Sequence, residues 1–136
     1  MVEQVVITLA ERPRGFHLIT RDIVKNLPPL PEKGLLHLLL QHTSAALALN
    51  ENADPSVRHD FEQFMNRLVA EKQPFFTHTL EGADDMPAHI KSTLMGQSLC
   101  IPITHRQLNL GTWQGIYLCE FRHHGGPRTI VATIVG

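Results

Sequence analysis

The chain has almost no net charge. Its 12 lysines and arginines against 13 aspartates and glutamates leave a formal charge of -1. That excludes the basic footprint of a nucleic-acid binder and the polybasic patch that holds a protein to an anionic membrane. Long apolar runs are missing too, so no membrane span is expected. The opening Met1-Val2-Glu3-Gln4 has neither the basic stretch nor the apolar segment of a secretion signal. Cysteine is scarce: Cys100 and Cys119 lie far apart in apolar stretches. Buried free thiols in a reducing cytoplasm are the expectation, not a disulfide. Neither lies in a polar motif, as a catalytic thiol does. There is no repeat, low-complexity segment or linker, so residues 1–136 read as a single domain, long enough to bury a core.

What is abundant is histidine, with nine in the chain. Imidazole is the commonest metal ligand and titrates near neutral pH. The polar segments that carry these rings are therefore the candidate site.

Strand and helix signals set where those segments sit. Val2 to Ala10 and Gly15 to Thr20 read as paired strands, with Glu11-Arg12-Pro13-Arg14 as their hairpin loop. Thr20 caps a short turn over Arg21 to Leu27, and Pro28, Pro29 and Pro31 then forbid regular structure. Gly34 to Gln41 reads as a buried strand and Ser44 to Leu49 as another. Asp54-Pro55 is a helix start, followed by Val57, Phe61, Phe64, Met65, Leu68 and Val69 at helical spacing. A second helix spans Met86 to Met95, capped by Asp85 and ended by Gly96, with Ile90 and Leu94 toward the core. Strands follow at Gln97 to Ile103, Trp113 to Phe121 and Pro127 to Val135. Strands outnumber helices and do not alternate with them, which is an α+β pattern.

Gln41-His42-Thr43-Ser44 closes an apolar strand with a polar end, read either as a site or as a turn. Asn50-Glu51-Asn52-Ala53-Asp54 converges on a helix N-terminus, where Asp54 suffices as a cap. His78, Glu81, Asp84, Asp85 and His89 put two histidines and three carboxylates within twelve positions. This density suits a divalent ion or acid–base work, although it is neither HExxH nor an EF-hand. Lys91 follows, as a phosphate contact or plain surface. Leu110-Gly111-Thr112-Trp113-Gln114 joins a turn to the only tryptophan, read as a core residue, and Gln114 beside it can read a substrate. Glu120, in an otherwise apolar strand, needs a partner, and Arg128 across a Gly-rich hairpin turn supplies it. His123 and His124 read as exposed turn; His17, His37, His59 and His105 read as structural.

Taken in order, His-Thr-Ser-Ala, Asn-Glu-Asn-x-Asp-Pro-x-Val, His-x-x-Glu-Gly-x-Asp-Asp, Ala-His-Ile-Lys, Gly-Thr-Trp-Gln-Gly-Ile and Gly-Pro-Arg resemble the YjbQ family over about residues 3 to 135. Members are described as secondary thiamine-phosphate synthase enzymes. The resemblance implies a compact α+β domain, a mixed or antiparallel sheet flanked by two or three helices, assembled as a homotrimer with polar clefts between subunits. It implies a divalent metal held by His42, His78 and His89. Zinc or another transition metal suits these ligands, with magnesium the alternative. It implies catalytic roles for Glu81, Asp54, Ser44 and Lys91. Asn52, Gly111, Thr112, Trp113, Gln114 and Arg128 would bind a phosphorylated small-molecule substrate. The implied reaction joins a hydroxymethylpyrimidine pyrophosphate to a thiazole phosphate and releases pyrophosphate. A metal-dependent hydrolase or transferase on another phosphorylated small molecule, or a non-enzymatic trimeric binding module, fits the same residues. The chain departs from the family at Asp85, where asparagine is frequent, and at Gly125, where an aspartate often precedes Gly-Pro-Arg.

Overall fold

A computed structural model describes residues 1–136. The strands are β1 (Val2–Leu9), β2 (Gly15–Leu18), β3 (Lys33–Leu40), β4 (Ala45–Glu51), β5 (Ser98–Thr104), β6 (Gln107–Leu108), β7 (Gln114–Glu120) and β8 (Arg128–Val135). The helices are α1 (Thr20–Lys25), α2 (Pro55–Leu68) and α3 (Asp85–Met95). This is the α+β architecture expected, but with two sheets. One runs β1-β8-β3-β5-β6 and the other β2-β7-β4, and every pairing is antiparallel.

Alternation builds the core between the sheets. Leu36, Leu38 and Leu40 of β3, Ile101 and Ile103 of β5, and Ile130, Ala132 and Ile134 of β8 point inward. They meet Ala45 and Leu47 of β4 and Ile116 and Leu118 of β7. Period-2 alternation leaves the other face of β3 outside. The strand is therefore half-buried rather than buried, with Leu35 and Leu39 exposed.

Both expected hairpins are absent. β1 pairs with β8 and β2 with β7, so residues 11–14 cross between sheets. β7 and β8 likewise lie in different sheets. Thr20 does not cap α1 but begins it, and its Oγ1 accepts from Ile116 N–H instead.

Asp54 does cap α2, its Oδ1 accepting from Ser56 N–H at 2.9 Å. The helix lies on its Phe61–Met65 line against a second apolar cluster, around Phe16, Tyr117 and Phe121, leaving Phe64 and Leu68 exposed. In α3 the inward residues are Asp85, Ala88, Lys91 and Ser92, not Ile90 and Leu94; Leu94 is exposed. Ser92 anchors that face by donating from Oγ to Ala45 O at 2.7 Å. Gly96 ends α3 at φ 95°, which only glycine adopts freely. Cys119 is buried, but Cys100 lies on the open face of β5, and both thiols are free. No helix is long and apolar enough to cross a membrane.

Candidate metal centre

The register of β4 and β7 divides the expected site residues. Ala45 lies opposite Glu120, and Glu51 opposite Gln114. Six residues of strand, at about 3.3 Å each, separate those ends by roughly 20 Å. His42, Ser44, Arg128, His78 and His89 gather at the first end. Asn52, Asp54, Gly111, Thr112, Trp113 and Gln114 gather at the other.

At the first end, one ligand atom each from His78, Asp85 and His89 lies within 4.8 Å of the others. Asp85 and His89 are one helical turn apart on α3, so they share a face. Asp85, expected as the cap of α3, is instead the first helical residue, with Asp84 before it, and is 2% exposed. Its Oδ2 sits 2.6 Å from His78 Nε2 and 3.1 Å from His89 Nε2. Its Oδ1 accepts from Arg122 Nη1 at 2.7 Å. Burial pushes the Asp85 carboxyl up, but the His78 hydrogen bond, the Arg122 guanidinium and His89 outweigh it and hold it below the usual carboxylate range. Asp84 is also held low: burial opposes, while His123 N–H and Arg122 prevail.

The tautomers favour a cation. His89 Nδ1 faces the Thr43 carbonyl at 2.9 Å, an acceptor only, so Nδ1 carries the hydrogen. In the neutral ring, Nε2 then turns its lone pair toward the Asp85 carboxylate. That geometry repels unless a proton or a metal lies between them. A backbone carbonyl fixing the far nitrogen is the usual outer support of a metal-bound histidine. Two nitrogens and one carboxylate leave coordination positions open, as catalytic sites do. The residues therefore fit a divalent transition metal.

His42 stands outside this group. Its Nε2 accepts from Thr129 N–H at 2.8 Å. Burial, then the nearby Arg128 cation, lowers its pKa against the opposing Glu120 charge, so the ring is neutral at neutral pH. Arg128 meets Glu120 as a fork, Nε to Oε1 at 2.7 Å and Nη2 to Oε2 at 2.5 Å. Nη2 also donates to Ser44 Oγ at 3.0 Å. The pair forms between the sheets, not across a hairpin. Gly125 roofs it: a Cβ there would lie 2.6 Å from Arg128 Nη2 and 2.8 Å from both carboxylate oxygens. Glu81 contributes its backbone, accepting from Arg122 Nη2 at 2.8 Å.

Lys91 points away from the centre. It is 1% exposed, donates to Asn66 Oδ1 at 2.9 Å and lies over the Phe121 ring. Burial first, then Arg14, lowers its pKa to about 8. At the far end, Asn52 donates to Thr112 O and Gln114 O, and Gln114 Oε1 accepts from Gly111 N–H. These bonds hold the loop together. Trp113, expected in the core, is 64% exposed. Sequence reasoning missed Arg122 and the Thr43 carbonyl, and it counted Asp85 among the carboxylates of this segment but read it as the cap of α3. The one available signal was charge: the adjacent carboxylates Asp84 and Asp85 call for a cation, and Arg122 is one.

Residues 5–136 match the family model described as UPF0047 protein YjbQ-like. A Salmonella typhimurium UPF0047 protein YjbQ is 57% identical over 135 residues, covering 98% of this chain and 97% of the relative. The Escherichia coli O157:H7 protein of that name is 53% identical over the same shares. Among solved structures, a conserved hypothetical protein from Thermus thermophilus superposes with a TM-score of 0.82 at 33% identity, covering 93% of this chain and 97% of that one. A YjbQ/UPF0047 family protein from Clostridium acetobutylicum gives 0.81 at 31% identity, covering 96% and 99%. With its strand order, its polar motifs and these matches in agreement, the chain belongs to the UPF0047 YjbQ-like family.

Proposed function

We propose that the protein is a metal-dependent enzyme acting on a phosphorylated small molecule, with His78, Asp85 and His89 as the protein ligands. The observation that carries this is the convergence of those three side chains, with His89 Nε2 facing a buried carboxylate. Two imidazoles and one carboxylate suit zinc or another transition metal better than magnesium, which prefers oxygen. When bound, the ion supplies Lewis-acid neutralisation of phosphoryl oxygens. The chain's own residues do the positioning. Arg122 fixes Asp85, and the Thr43 carbonyl fixes His89. His78 is partly open to solvent and forms the approach for substrate.

The joining of a hydroxymethylpyrimidine pyrophosphate to a thiazole phosphate, implied by the resemblance, is one reaction of this class. It needs charge neutralisation on the departing pyrophosphate and alignment of the thiazole nitrogen. Hydrolysis or transfer on another phosphate ester needs only the first. We also propose the homotrimer. The loop from Gly111 to Gln114 lies roughly 20 Å along β7 from Glu120, at the opposite end of the sheet from the metal ligands, so in our reading it reaches a centre across a subunit boundary. Exposed Val6, Leu35, Leu39 and Val135 offer an apolar face for such contact.

The test is a turnover screen of metal-loaded protein. Substrates are the pyrimidine pyrophosphate with the thiazole phosphate, and a panel of phosphate monoesters. Turnover that disappears in His78→Ala and Asp85→Asn supports the reading. Metal uptake with no turnover of any substrate leaves a binding module instead. Light scattering should give a mass near three times the chain's 15.3 kDa.

A further inference from the structure

Beside His78 the surface folds into a recess of about 180 Å³. Phe76 and Met86 make its apolar wall, and Lys72, His78 and Gly82 border it. The volume equals roughly six waters and falls short of the roughly 300 Å³ at which pockets for drug-sized ligands begin. Within one chain it has room for a single small ester.

Lys72 is the cation of this recess. Its φ is 58°, a left-handed backbone that residues other than glycine, asparagine and aspartate seldom adopt. Nearby Arg14 and Arg122 are tied to Glu62, Glu71, Asp84 and Asp85, whereas Lys72 has no carboxylate partner. Gly82, at φ 108°, keeps the rim bare: a Cβ there would lie 3.1 Å from Asp84 Oδ1.

Charge then selects the ligand. A divalent ion on His78, Asp85 and His89 and the Lys72 ammonium put positive charge on two sides of the recess. A phosphate monoester carries about -2 at neutral pH and three acceptor oxygens, enough to meet both cations at once, where a carboxylate brings half the charge and two oxygens.

We infer that this recess is the substrate seat of the metal centre. It takes the phosphate monoester of a short, apolar alcohol, and Lys72 determines specificity for the phosphate. The inference rests on the proposed metal reading and narrows it toward a hydrolase or transferase on one small ester.

The test is calorimetric titration of ethyl phosphate into wild type, Lys72→Met and Lys72→Arg, each with and without zinc, with zinc content measured separately. Wild type should bind ethyl phosphate more tightly than acetate. Lys72→Met should weaken ethyl phosphate by about tenfold, the loss of one charge-assisted contact, with zinc content unchanged. Lys72→Arg, which keeps the charge, should retain most of the affinity. Binding by Lys72→Met within about twofold of wild type, or no preference of wild type for ethyl phosphate over acetate, overturns the inference. A wild type that takes up no zinc yet loses ethyl phosphate through Lys72→Met keeps the recess and overturns the metal.

Discussion

Removing the Arg128 side chain should destabilise the protein far more than a surface substitution does. Glu120 is 0% exposed and Arg128 3% exposed, so neither has water as an alternative partner. Arg128→Ala leaves the Glu120 carboxylate buried beside Ser44 with no counter-charge. Breaking a buried pair in this way costs about 3–5 kcal/mol. For 136 residues, an unfolding entropy of about 2.1 cal/mol/K per residue converts that into a fall in Tm of roughly 10–17 °C. Arg128→Lys keeps the charge but not the fork, and should fall between that and wild type. Glu120→Leu combined with Arg128→Met should recover most of the loss, because an apolar pair leaves no charge buried alone. Calorimetric melts of the four proteins decide the matter. An Arg128→Ala melt within about 3 °C of wild type would refute the reasoning, since it would mean that Glu120 is not desolvated.

Three further outcomes follow from the same structure. Gly125→Ala should lower the melting temperature in the same direction, because its Cβ would meet the guanidinium at 2.6 Å, and Glu120→Leu with Arg128→Met should relieve that cost. Lys91 has a folded pKa of about 8 against 10.5 unfolded. At this site the unfolded chain therefore binds more protons between those values, and stability should rise from pH 8 to about 9, above which ionisation of the Cys119 thiol in the unfolded chain opposes it. The slope is at most about 1.4 kcal/mol per pH unit, less solvent screening; urea titrations should show it in wild type and not in Lys91→Met. A thiol reagent should modify Cys100 quickly in folded protein and Cys119 only on unfolding, because Cys119 is buried and burial pushes its thiol pKa up.

Local chemistry made much of this legible in sequence. Asp54-Pro55 announced α2 and Gly96 the end of α3, because caps and left-handed glycines act within a few residues. β-rich and apolar runs located seven of the eight strands. The eighth, β6, follows a turn through His105 and Arg106 at φ 53° and 64°, with none of the glycine or asparagine that marks such a turn. Partner choice was not legible. The loops at 11–14 and 122–127 look like hairpin turns, and only the two-sheet arrangement shows that they cross between layers. The candidate site was half legible. His78 and His89 stood out by density in one segment, but Asp85 resembled a cap because a cap and a ligand are both aspartates at a helix start. His42 seemed to belong with them, yet its Nε2 is engaged by Thr129 N–H, a contact 87 residues away in sequence. Trp113 looked like core because it is large and apolar, but no strand register carries it inward.

The central claim is that His78, Asp85 and His89 hold a metal. The direct measurement is zinc stoichiometry by elemental analysis, after dialysis against micromolar zinc, for wild type, Asp85→Asn and His42→Gln. Wild type and His42→Gln should each retain about one ion per chain and Asp85→Asn almost none, because of the two substituted residues only Asp85 contributes a ligand atom. Equal retention by wild type and Asp85→Asn, or no ion in wild type, would contradict the account.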